Sequence, residues 1–299
     1  MKNRFLILLS FVLIVGRDVV CANTSMVRER ININRDWRYQ IDDPDGVGAA
    51  LHYSRLKPYL LPCANDFIIF GKRYQRPEGN PGENIAYVKS DFDDSEWRHL
   101  NLPHDWAIEG PFNIDYNGST GKLPYWGIRW YRKTLELSQD DAGKQIYLDI
   151  DGAMSYVSVW CNGQYVGGWP YGYASFRLDL TPYIKAGQKN VLAIRLDNPD
   201  DTSRWYPGSG IYRNVWLVKT SPVHVEQWGT FVRNQQVDSE IAVMEMGVNI
   251  ENHAGKDVQV KLQTSVYLQG KDGRPVGEEV AQSMAKNIAI KKDLSLIHI

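Results

Sequence analysis

Apolar and polar residues alternate with a period of two through the middle of this chain, and that pattern constrains its fold more than any other feature. Ile146, Leu148 and Ile150 alternate with Tyr147 and Asp149, and Val157, Val159 and Cys161 alternate with Ser158 and Trp160. Leu192, Ile194 and Leu196 repeat the pattern until Asn198-Pro199 interrupts it. Successive side chains on a strand point to opposite faces, so each run reads as a strand with one face turned to a core. Asn162-Gly163 tolerates the positive φ of a type I′ turn, which predicts a hairpin returning through Gln164-Tyr165-Val166. Val215, Leu217 and Lys219, with Trp216 and Val218 on the other face, close the block. No stretch sustains a helical period. Short strands at regular spacing, punctuated by Gly, Pro and Asn, predict a β-sandwich.

The flanks read differently. Lys2 and Arg4 precede an apolar run from Phe5 to Val15, and Val20-Cys21-Ala22 offers small residues before Asn23. The run is short for a bilayer span, and the pattern is that of a secretory signal peptide over residues 1–22. The expectation is export to the periplasm. The alternatives are an outer-membrane lipoprotein joined through Cys21, or secretion. In an oxidising compartment Cys63 and Cys161 could pair, but Cys161 inside a strand reads as a small buried hydrophobe. Residues 42–86, rich in Pro and Gly, read as a loop insertion lying over the sandwich. A boundary falls near Thr220-Ser221-Pro222. Residues 222–293 then carry further strand patterns but fall short of the roughly 100 residues of a complete immunoglobulin-like sandwich. Leu294 to Ile299 read as translated sequencing adapter.

Net charge is -1, from 34 basic and 35 acidic residues, so nothing favours a nucleic-acid partner. A mean hydropathy of -0.40 excludes a polytopic membrane protein, and no transmembrane domain is expected. The adjacent acidic pairs, Asp42-Asp43, Asp93-Asp94, Asp140-Asp141, Asp200-Asp201 and Glu278-Glu279, read as solvated loop charges. Neighbours on a strand face opposite ways and make no catalytic couple. The six histidines show no metal-binding spacing, and no cofactor is expected. Two segments stand out: Leu102-Pro103-His104-Asp105-Trp106, and Ser203 to Arg213, which contains Arg204, Trp205 and Tyr212. Each joins a Pro, charged groups and large rings, a combination that suits a sugar's hydroxyls and its C–H face, or else anchors a sandwich corner.

Those segments also carry a resemblance. With Asp91-Phe92-Asp93-Asp94-Ser95-Glu96-Trp97, Gly127 to Lys133, Val159 to Gly167 and Gly208 to Val215, they resemble, in order and spacing, the sugar-binding jelly-roll domain of glycoside hydrolase family 2, the β-galactosidase and β-glucuronidase family. The resemblance spans Arg30 to about Lys219 and is closest to exported bacterial β-galactosidase-like members. It implies an all-β chain: a jelly-roll sandwich over 23–221, followed by a truncated immunoglobulin-like sandwich over 222–293. It also implies that catalysis belongs to a (β/α)₈ barrel beyond this chain, where two glutamates roughly 5 Å apart work with retention. No catalytic residue is therefore assigned here. Asp105 and Arg204 are implied as substrate contacts, Asp201 is not clearly in register for an ion, and Tyr212 and Arg213 lock a corner. The implied partners are a β-galactoside or related glycoside and the barrel itself. The competing readings are a free-standing carbohydrate-binding module and a structural adhesion protein.

Overall fold

The period-two runs do form strands, but their second face is buried as well. A computed structural model of the chain describes residues 7–15, 28–68, 71–200 and 208–292. In chain order the strands are β1 (Ile7–Val15), β2 (Glu29–Asn32), β3 (Trp37–Ile41), β4 (Arg98–Leu100), β5 (Gly127–Glu136), β6 (Gln145–Ile150), β7 (Val157–Cys161) and β8 (Gln164–Trp169). They continue with β9 (Phe176–Asp179), β10 (Lys189–Asn198), β11 (Val215–Thr220), β12 (Val223–Val237), β13 (Ala242–Asn252), β14 (Val258–Gln269), β15 (Pro275–Gln282) and β16 (Lys286–Ile290). Residues 28–219 form one unit, and the remaining described residues form a second.

The first unit is the jelly-roll sandwich. A six-stranded antiparallel sheet, ordered β4-β3-β5-β10-β7-β8, faces a four-stranded sheet ordered β2-β11-β6-β9. Leu148, Ile150, Val157, Val159, Leu192, Ile194, Leu196, Phe176 and Val215 fill the space between them. All but Phe176 are residues the alternation assigned to one face. Cys161 joins this core as a thiol that burial pushes up to about 12, and no disulfide links it to Cys63.

The opposite face of the larger sheet carries Trp130, Arg132, Trp160 and Arg195, all buried. Trp130 and Trp160 stack with centroids 5.4 Å apart beneath Val47, Leu51, Leu56, Leu60 and Val88. The segment expected to be a loop over residues 42–86 does lie on the sheet, but it contains a helix, α1 (Tyr53–Leu60), followed by a 3-10 turn over Leu61–Phe67. Pro58 inside α1 masked it in the sequence. Leu56 and Leu60, one turn apart, bury its inner side, and that tertiary packing outweighs the missing N–H. Gly82 sits at φ +85° with the Trp160 indole so near that a Cβ would meet its Nε1 at 3.0 Å, so only glycine fits there.

Three of the acidic pairs read as solvated charges prove to be half structural. Asp141 is buried and accepts from Lys144 Nζ at 3.0 Å and from Lys219 Nζ at 2.7 Å. Asp43 accepts from Arg195 Nε and Nη2 at 2.8 Å each, and from Trp130 Nε1 at 2.8 Å. Asp94 accepts from Arg132 Nε at 2.7 Å, while the same guanidinium donates to the Tyr87 carbonyl. Each aspartate meets a partner distant in sequence, so adjacency along the chain says nothing about burial.

In the second unit β12 and β13 pair antiparallel, and β14 pairs antiparallel with β1, β15 and β16. Val223, Val248, Ile250, Val260, Leu262 and Ile290 form its core. The apolar run read as the core of a leader occupies β1, where Ile7 to Val15 ladder along Leu268 to Val260. The edge of β14 supplies the backbone partners that such a run otherwise lacks. Leu294 to Ile299 lie outside the described residues.

Asp43→Ala leaves a buried guanidinium and a buried indole N–H without their main acceptor. Breaking a buried pair in this way costs about 3–5 kcal/mol. Urea denaturation of the Asp43→Ala chain is expected to show a loss of that size, and a change below about 1 kcal/mol would refute the role given to Asp43.

Candidate functional site

The segment Leu102-Pro103-His104-Asp105-Trp106 has no strand or helix of its own, so its shape depends on side-chain and backbone bonds. The chain from Gly208 to Asn214 supplies them. His104 N–H donates to the Ile211 carbonyl at 2.9 Å. Asp105 Oδ1 accepts from Ser209 N–H at 3.1 Å and from Ala107 N–H at 2.9 Å. Gly210 passes so close that a Cβ there would lie 2.4 Å from the His104 carbonyl oxygen, at φ +89°. The described part of the second segment, Gly208 to Arg213, thus packs against the first.

Further bonds fix the second segment from behind. Asn198 Nδ2 donates to the Tyr125 carbonyl at 2.8 Å and to the Gly208 carbonyl at 3.0 Å, and Ser155 Oγ donates to Asn198 Oδ1 at 3.1 Å. Ser209 Oγ donates to the same Tyr125 carbonyl. Gly210 and Met154 exchange backbone bonds at 2.9 and 3.0 Å. Asn198, which reads in sequence as a strand breaker, is the hub of this network. Its burial explains the role, and a polar residue at a core position after an apolar run was the signal available for it.

Burial shifts the titratable groups here. It raises the Asp105 carboxyl, although the N–H bonds from Ala107 and Ser209 oppose the rise. It lowers His104, whose attraction to Glu109 pulls the other way. Nε2 lies 3.2 Å from Glu109 Oε1 and donates to that carboxylate, while Nδ1 and the Tyr131 hydroxyl share a bond of 2.7 Å. Arg98 clamps Glu109 with two bonds, at 2.7 and 2.6 Å, and holds its carboxyl below the usual range. Sequence reasoning missed this Arg98–Glu109 fork, because Arg98 opens β4 and Glu109 ends a 3-10 turn over Ala107–Glu109, with no motif that joins them. Trp106 is buried in the sandwich core, with the Arg129 guanidinium 5.1 Å from its ring, so it anchors the loop.

Beside this loop lies a cleft of about 440 Å³ lined by Tyr39, Arg98, Trp106, Glu109, Pro111 and Arg129. Tyr212, placed at a corner by sequence, donates its hydroxyl to the Gly172 carbonyl at 2.7 Å. Arg204 and Asp201 lie outside the described residues. Of the two implied substrate contacts, the structure therefore places Asp105, and places it as a staple between two loops.

Residues 86–221 match the sugar binding domain of glycosyl hydrolases family 2. The chain is 40% identical over 263 residues to the beta-galactosidase BoGH2A of Bacteroides ovatus, a match covering 86% of this chain and 26% of that protein. It is 36% identical over 194 residues to a putative beta-glucuronidase of Formosa agariphila, covering 62% of this chain and 19% of that one. Among solved structures, a family 2 member from Bacteroides cellulosilyticus superposes with a TM-score of 0.68 at 27% identity, over 89% of this chain and 30% of the other. The chain thus spans about a quarter or less of the length of these curated relatives. The sandwich, the paired loops at its end and these relatives agree, and the chain belongs to glycosyl hydrolase family 2 through its sugar-binding domain.

Proposed function

We propose that this chain is the N-terminal part of an exported β-glycosidase of β-galactosidase type, which hydrolyses O-glycosidic bonds in carbohydrate breakdown. The observation that carries the reading is the 40% identity to a beta-galactosidase over 86% of the chain, beyond the first unit alone. Catalysis is assigned to a barrel following Asp293, and residues 222–293 to part of an immunoglobulin-like domain that joins it. A retaining hydrolysis needs an acid/base and a nucleophile flanking the scissile bond. The role proposed for this chain is to present its loop surface to the sugar held by that barrel. The second reading, a free-standing carbohydrate-binding module, would keep the same surface without hydrolysis.

Asp105 is proposed as a sugar contact, and Arg204, outside the described residues, as a second. Asp105 Oδ1 is committed to two backbone N–H groups, which fixes the plane of the carboxyl group. A carboxylate fixed in this way meets a substrate hydroxyl with little loss of rotamer freedom. Export is proposed from the charged and apolar pattern of residues 1–22. N-terminal sequencing of the mature protein is expected to begin at Asn23, and an intact Met1 in the periplasmic fraction would remove export by cleavage.

Two further outcomes are expected. The chain alone turns over neither 4-nitrophenyl β-galactoside nor the β-glucuronide, while the complete gene product hydrolyses the galactoside with retention of configuration. Turnover by the chain alone, or a complete product without hydrolysis, overturns the reading. In the complete enzyme Asp105→Asn keeps an Oδ1 acceptor and the wild-type Tm but loses a charge-assisted bond of about 1.5–3 kcal/mol, so kcat/KM falls about 10- to 150-fold. Asp105→Ala additionally strands two N–H groups and costs about 1–3 kcal/mol in stability. Full activity in Asp105→Asn would show that the residue is a staple and nothing more.

A further inference from the structure

The turn between β8 and β9 presents two large rings to solvent. Tyr171 is 54% exposed and Tyr173 40%, while Gly172 between them is buried. Their ring centroids lie 5.9 Å apart with the planes inclined at 56°. A connection between strands does not need two tyrosines, because small polar residues turn a chain at lower cost.

The turn is held from three sides. Tyr212 Oη donates to the Gly172 carbonyl at 2.7 Å, Tyr156 N–H donates to the Pro170 carbonyl at 3.2 Å, and Ser175 Oγ donates to the Asp151 carbonyl at 2.8 Å. Met154 packs under Gly172 so closely that a Cβ at 172 would lie 2.6 Å from its Cε. The missing side chain lets the turn sit directly on Met154, and the flanking rings are exposed. Backbone fixed in this way lowers the ordering cost of anything that binds the rings.

We propose that Tyr171 and Tyr173 form a platform for a neutral pyranoside unit of a glycan chain. The inclined rings make a V: one ring face stacks under the C–H face of the sugar, and the second ring flanks it. Tyr212, which holds the platform, is three residues from Ser209, which holds Asp105. This inference rests on the sugar-binding reading of the domain and adds to it a second point of contact, away from the Asp105 staple.

Affinity electrophoresis of the chain through gels containing soluble galactomannan, xyloglucan or β-1,4-galactan tests it without hydrolysis. The chain is expected to be retarded by at least one of the three. Tyr171→Ala/Tyr173→Ala is expected to weaken that binding at least tenfold, roughly the effect of truncating an anchoring aromatic side chain, and Tyr171→Ala alone, which truncates the more exposed ring, to weaken it in the same sense with Tm unchanged. Tyr171→Phe/Tyr173→Phe is expected to restore most of the binding. Absence of retardation in all three gels, or equal retardation of the double alanine variant, overturns the proposal. An unretarded chain from an active complete enzyme removes the platform alone, whereas a retarded chain from an inactive complete protein removes the hydrolase reading alone.

Discussion

The loop that carries Asp105 takes its shape from one carboxylate oxygen. Oδ1 of Asp105 gathers the N–H of Ala107, two residues ahead in its own loop, and that of Ser209, more than a hundred residues away. His104 adds a backbone bond to Ile211, and the bare Cα of Gly210 lets the two strands of chain close to contact distance. The network around Asn198, the Tyr212 bond to Gly172 and the exposed tyrosine pair all build on the position of the Gly208–Asn214 segment. Loop residues perform their chemistry only when a rigid frame aims them, and here the frame is the end of a sandwich tied across two loops.

That sandwich needs a lid of its own. The larger sheet buries two tryptophans and two arginines on the side away from its partner sheet. An arginine on that face would be costly without a carboxylate, and the insertion brings Asp43 to Arg195, while Asp94, from the loop just after it, reaches Arg132. Covering layer and sheet therefore specify one another. A free edge of stacked indoles, left open to water, would be an aggregation site rather than a stable fold.

Much of this was legible in the sequence. The alternating runs gave the strands, the Asn162-Gly163 pair gave the hairpin, and the motif segments gave the family, because each signal is local and has a steric cause. What was not legible depended on pairs distant in the chain. Arg132 and Arg195 look like the solvated members of an alternation until Asp94 and Asp43 arrive from elsewhere. Pro58 argued against a helix that packing then enforced. Asp105 carried a motif that suggested a sugar contact, but its backbone partners could not be foreseen, since Ser209 contributes through its N–H and not through its identity.

Amide hydrogen exchange at Ser209 tests most directly whether the two loops are held as one surface. The account predicts that this N–H exchanges slowly in the wild-type chain and at close to the unprotected rate in Asp105→Ala, with the strand amides of Val157 to Cys161 unchanged in both. A Ser209 amide that exchanges freely in the wild-type chain, or that stays equally protected without Asp105, would contradict it.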